Sequence, residues 1–165
     1  MRGNSNALCD RFMEGAAEAG HDAQKIVLAE KNIRPCNGCY ACQGTRRCAQ
    51  KDDMADVLEG MLAADVIVMA TPIYFYTMCA QMKAVIDRTV ARYTEIKNKE
   101  FYFIVTAADG NVKALERTVE GFRGFTSCLH GAKEKGVIYG GGAWKMGEIV
   151  GTRAMDEAFA IGKGL

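Results

Sequence analysis

Cys36, Cys39, Cys42 and Cys48 stand within thirteen residues in the pattern C-x2-C-x2-C-x5-C. Four thiolates so close together on one polar stretch can converge on a single metal centre without help from the rest of the chain. The first three have the tight spacing that brings neighbouring sulfurs round an iron-sulfur cubane, whereas the fourth comes later and no proline follows it. Zinc is less favoured, because structural zinc sites more often use two separated C-x2-C turns, and free thiols are the plain alternative. Cys9, Cys79 and Cys128 fall within helical patterns and are expected as small buried hydrophobes.

Three other segments have residue types suited to binding. Gly3-Asn4-Ser5-Asn6 stands where a first helix begins, so backbone N–H groups and the helix dipole favour a phosphate there, although Asn4 or Ser5 serves equally as an ordinary N-cap. Thr71-Pro72-Ile73-Tyr74-Phe75-Tyr76 sets three aromatics after a proline expected to end a buried strand, which suits a planar ligand better than core packing. Thr106-Ala107-Ala108-Asp109-Gly110-Asn111 is small and polar and permits close backbone approach, and a strand-to-helix turn with a capping residue also explains it. No Ser-His-Asp grouping is evident. His21 and His130 fall at or just past helix ends, where a solvated or dipole-partner role suffices.

The elements that must position these segments follow from hydrophobic periodicity. Leu8, Phe12 and Ala16 predict a helix up to Gly20, and Gln24 to Leu28 reads as a strand. The cysteine-bearing stretch 29–51 is then a loop, and Asp52 or Asp53 caps a helix with the stripe Met54, Val57, Leu58, Met61 and Leu62. The run Val66 to Ala70 predicts a strand covered on both faces and ended by Thr71-Pro72. Helices are expected around Met82 to Val90, around Val112 to Phe122 and from Thr152 to Ile161, with Met155, Ala158 and Phe159 inward; strands are expected at Phe101–Val105 and Val137–Tyr139. This alternation predicts a doubly wound parallel sheet in three layers, α/β/α, as one domain over residues 1–165. In such a sheet ligands gather beyond the carboxyl ends of the strands, where the three segments lie. A strand normally precedes the first helix, so either the sheet lacks it or the chain starts at an internal Met of a longer protein. The strands at 24–28 and 66–70 would then flank a gap.

With 21 Lys and Arg against 20 Asp and Glu, the net charge of +1 argues against a nucleic-acid footprint or a polybasic membrane patch. The longest uncharged run, Val66 to Met82, is 17 residues broken by Pro72, short of the about 20 a membrane span needs. An odd cysteine count and the lack of a secretory pattern at the N-terminus place the chain in the cytoplasm, with small molecules as partners.

Read together, Gly3-Asn4-Ser5, Pro35-Cys36-Asn37-Gly38-Cys39-Tyr40-Ala41-Cys42, Lys51-Asp52-Asp53-Met54, Thr71-Pro72-Ile73-Tyr74-Phe75-Tyr76 and Gln81-Met82-Lys83-Ala84-Val85-Ile86-Asp87-Arg88 resemble the NAD(P)H-dependent FMN reductase and iron-sulfur flavoprotein group of flavodoxin-like proteins. Only the tail of that group's phosphate loop is present. The resemblance implies an oxidoreductase in which Asn4 and Ser5 hold the FMN phosphate, Pro72, Ile73, Tyr74, Phe75 and Tyr76 border the isoalloxazine ring, and Thr106, Ala107, Ala108 and Asp109 face its other edge. It further implies NADH or NADPH as co-substrate, a flavin, quinone or similar small acceptor, and a homodimer or homotetramer. In its iron-sulfur branch it implies a [4Fe-4S] cluster on Cys36, Cys39, Cys42 and Cys48 and electron transfer between a protein donor and acceptor.

Overall fold

Val66-Ile67-Val68-Met69-Ala70 and Phe101-Tyr102-Phe103-Ile104-Val105 have the β-branched and aromatic side chains that fit a pleated surface buried on both faces, and they become the centre of the sheet. A computed structural model describes residues 3–165. The elements are α1 (Asn4–Glu18), α2 (Cys42–Thr45), α3 (Met54–Ala63), β1 (Val66–Tyr74), β2 (Thr77–Met78), α4 (Ala80–Arg88), β3 (Glu100–Thr106), α5 (Val112–Thr126), β4 (Lys133–Gly140) and α6 (Arg153–Lys163). The strand order is β2-β1-β3-β4, with β1, β3 and β4 parallel and the short β2 antiparallel to the end of β1.

Alternate residues of the strands feed two cores, as the period of two requires. Ile67, Met69, Phe101, Phe103 and Val105 pack under α3, α4 and α5 with Met54, Leu58, Val85, Leu115 and Phe122. Tyr102, Ile104 and Ile138 face the other way, against Leu8 and Phe12 of α1 and Ala158 of α6. The expected three-layer α/β/α sheet is therefore the architecture. Close approach of α1 and α6 depends on glycine: a Cβ on Gly15 would lie 2.2 Å from the Phe159 carbonyl oxygen, and one on Gly162 2.0 Å from that of Phe12.

Several expectations need correction. Residues 21–27 form no strand; a one-turn 3-10 helix, Leu28–Glu30, follows them. A lone extended segment has no ladder to satisfy its N–H and C=O groups, and the edge of β1 from Val66 to Pro72 has no strand against it among the described residues. Leu28 packs its side chain on the core regardless. Pro72 does not end β1, which runs on to Tyr74 with Pro72 in register with Thr106. Proline is compatible with this position because, among the described residues, β1 is an edge strand from Val66 to Pro72, where open-side N–H groups need no ladder partner. Val112, at the first position of α5, is 51% exposed, while Leu115, Val119 and Phe122 of that helix are buried. Cys128 is exposed, because α5 has already ended at Thr126, whereas Cys9 and Cys79 pack against the cores. Burial pushes the Cys9 thiol up to about 12, which makes it inert. Among the described residues no helix is long and apolar enough to cross a membrane.

Candidate active site at the carboxyl edge of the sheet

Parallel strands deliver their carboxyl ends to one edge, and four segments meet there: the start of α1, the β1–β2 turn, the β3–α5 turn and the loop 141–152 after β4. Gly3, not Asn4 or Ser5, is the N-cap of α1, and no side chain caps that end. The first-turn N–H groups of a fifteen-residue helix are thus available to an anion beside Ser5, whose hydroxyl oxygen accepts from Thr106 Oγ1 at 3.2 Å. The Asn4 side chain is fully committed elsewhere. Its Nδ2 donates to the carbonyls of Ala143 and Lys145 at 3.2 and 3.0 Å, and its Oδ1 accepts from the Gly147 N–H at 2.9 Å. Asn4 is therefore the clamp of the loop after β4.

That loop is built for close backbone approach. Ala143 N–H donates to the Ala107 carbonyl at 2.9 Å and Gly142 N–H to the Asp109 carbonyl at 3.2 Å. A Cβ at Gly141 would stand 2.9 Å from that Asp109 oxygen. Glu148 accepts from the N–H groups of both Trp144 and Lys145 at 2.8 Å, which holds Trp144 outward and 80% exposed. Thr106 and Ala107 are buried, while Ala108 and Asp109 are exposed, with Asp109 Oδ1 accepting from Asn111 N–H at 2.8 Å in a local turn.

Tyr74, Phe75 and Tyr76 form the tip of a hairpin closed by Tyr74 pairing with Thr77. A two-residue hairpin turn that follows the strand twist needs φ above zero at both central residues. Phe75 and Tyr76 supply φ of 50° and 62° without being glycine. Each such non-glycine residue costs about 1–2 kcal/mol. The hairpin holds Phe75 99% exposed, and Arg117 of α5 lies 5.2 Å from the Tyr76 ring. Pro72 and Ile73 are half-buried beneath this tip.

The second candidate region is the cysteine loop. Cys36, Cys39, Cys42 and Cys48 all line one cavity, which Arg88 and Val90 also line. The sulfurs do not converge: among the described residues no three His, Cys, Asp or Glu side chains are grouped to hold a metal ion. Left-handed backbone at Gly38, Tyr40 and Arg46 wraps the loop around the four-residue α2. Asp52, expected as a cap, accepts from Met54 N–H at 3.2 Å at the start of α3, but its main partner is Arg88. The Arg88 hydrogen bonds, with backbone donors from Arg34 and Met54 adding, hold its carboxyl down at about 2 against the pull of burial.

Residues 1–132 match the family model described as NADPH-dependent FMN reductase. The chain belongs to that family. An iron-sulfur flavoprotein of Methanocaldococcus jannaschii is 36% identical over 87 residues, which cover 53% of this chain and 45% of the relative. An iron-sulfur flavoprotein of Methanosarcina thermophila is 29% identical over 161 residues, 93% of this chain and 83% of that one. The chain thus spans less than half the length of the first relative and most of the second. Among solved structures, an FMN-dependent NADH-azoreductase from Bacillus anthracis, in complex with FMN, superposes with a TM-score of 0.72 at 15% identity, over 97% of this chain and 90% of that one. That likeness establishes the flavodoxin-like fold.

Of the segments picked out from the sequence, the start of α1, the β1–β2 turn and the β3–α5 turn lie at the carboxyl edge, whereas the cysteine loop forms a separate region. Reading the sequence gives a loop from Gly140 to Gly151 but does not assign it to the site, although Gly140-Gly141-Gly142 before Trp144 signals close backbone approach. It also missed the pairing of Asp52 with Arg88, which no local pattern announces because 36 positions separate the partners.

Proposed function

We propose that this chain binds FMN at the carboxyl edge of the sheet and acts as an NAD(P)H oxidoreductase toward a flavin, quinone or similar small acceptor. The observation that carries the reading is the shared edge itself: an uncapped helix N-terminus beside Ser5, a strained shelf of exposed aromatics and a glycine-backed loop all open onto it. When bound, FMN supplies the hydride acceptance and onward electron delivery. The first-turn N–H groups of α1 and the Ser5 hydroxyl hold the phosphate. Tyr74 to Tyr76 present ring faces to the isoalloxazine, and the N–H groups around Ala108 and Asp109 meet its polar edge. Asn4 holds the loop carrying Trp144 against this site. A homodimer or homotetramer covers the aromatic shelf, which otherwise stays in water. The test is FMN titration of the full chain followed by NADH or NADPH; binding without bleaching of the flavin band would disprove the reductase reading.

A second reading is favoured by the four cysteines lining one cavity. The donor set is chemically suited to a [4Fe-4S] cluster, and the cavity wall holds a buried N–H of Arg88 with no partner. Cys36, Cys39, Cys42 and Cys48 would hold the cluster after the loop closes round it, and the cluster would supply one-electron transfer to or from a redox protein partner. Iron and sulfide analysis after anaerobic purification decides it, with Cys39→Ser and Cys42→Ser as controls; no iron in the wild type, or equal iron in the variants, would exclude the cluster.

A further inference from the structure

Lys51-Asp52-Asp53-Met54 and the end of α4 have no part in the flavin face, yet they meet beneath the cysteine loop. The Arg88 side chain is 1% exposed. Its two terminal nitrogens donate to the two Asp52 oxygens at 2.9 Å each, and one of them also donates to the Arg34 carbonyl at 2.7 Å. These three contacts use three of the guanidinium N–H groups and leave the Nε–H buried and unpartnered. Leaving a buried donor unpaired costs about 1–3 kcal/mol, and more on a charged group, so the structure maintains it at a cost. The surroundings identify the missing acceptor. Arg88 lines the cavity of Cys36, Cys39, Cys42 and Cys48. Cys48 lines that cavity together with Arg88 and is the sulfur that bears on its guanidinium.

We propose that Arg88 is a positioning residue for sulfur-bound iron, its Nε–H donating to the Cys48 sulfur or to an inorganic sulfide next to it, with Asp52 fixing the guanidinium in that orientation. This inference rests on the cluster reading given above. Thiolate and sulfide sulfurs accept N–H bonds, and such bonds together with local charge set a cluster's reduction potential. A donor at the sulfur stabilises the more negative reduced state and raises the potential. Lysine keeps the charge but has no Nε–H fork, so it cannot satisfy Asp52 bidentately and serve sulfur at once.

The test uses the full chain, purified anaerobically and supplied with iron and sulfide, as wild type, Arg88→Lys and Asp52→Asn. Wild type carrying isotopically labelled arginine Nε is expected to show a nitrogen hyperfine coupling to the reduced cluster that Arg34→Lys keeps and Arg88→Lys loses. Arg88→Lys is further expected to lower the reduction potential and to lose iron to a chelator about tenfold faster or more. The coupling in labelled wild type needs no substitution, so a variant that folds poorly does not rescue the idea. Wild type that holds no iron overturns the cluster reading and this inference together. Iron-loaded wild type without the coupling, or with a potential unchanged in Arg88→Lys, overturns the role of Arg88 alone.

Discussion

Asp52→Asn removes the charge from a pair whose side chains are 0 and 1% exposed, so its cost is calculable without a discount for solvent screening. The Asp52 carboxyl falls from 3.8 to about 2 on folding. At about 1.4 kcal/mol per pH unit, that interval corresponds to about 2.5 kcal/mol of stability. Because the folded value is the depressed one, the contribution is complete above 3.8 and disappears as pH falls through about 2. Asparagine forfeits it at neutral pH and leaves a guanidinium buried without its counter-charge, which brings the expected loss to about 3–5 kcal/mol. Against a total of about 5–15 kcal/mol this is a large fraction. Urea denaturation of both proteins near neutral pH should show that gap through a lower midpoint at equal slope, and repetition in acid should shrink it by about 2.5 kcal/mol. A gap under about 1 kcal/mol at neutral pH, or one that stays constant into acid, would refute this account of the pair.

Other substitutions probe the edge proposed to hold the flavin. Phe75→Gly relieves a left-handed residue with no packing to lose, so Tm should rise by a few degrees while FMN affinity, measured by fluorescence quenching, falls; a lower Tm would mean the turn is not strained. Tyr74→Ala should weaken FMN binding by about 1 kcal/mol, roughly fivefold, with an unchanged far-UV spectrum, and equal affinity would move the ring elsewhere. Asn4→Ala should free the loop 143–147, seen as faster hydrogen exchange at Gly147, whereas unchanged protection would show that the three Asn4 hydrogen bonds do not hold it.

The strands 66–70 and 101–105 were legible because continuous apolar runs of that length have few other uses, and the helix stripes of Leu8, Phe12 and Ala16 and of Met54 to Leu62 followed for the same reason. Ile26-Val27-Leu28 has strand-like composition, but composition does not supply a neighbour to pair with. Pro72 misled for a related reason: whether a missing N–H matters depends on which side of the strand is paired, and that is tertiary information. At the site, residue types marked the aromatic turn and the cysteine loop. What Asn4 binds, and that Asp52 and Arg88 meet, depends on contacts 139 to 143 and 36 positions apart. Local spacing has no access to those distances.

The most direct measurement is anaerobic titration of the FMN-loaded full chain with NADPH and, separately, NADH, following the visible flavin band and then adding a quinone. The account predicts stoichiometric bleaching by at least one nicotinamide and recovery of the band on quinone addition. A chain that binds no FMN, or whose bound FMN stays oxidised with both nicotinamides, would contradict it.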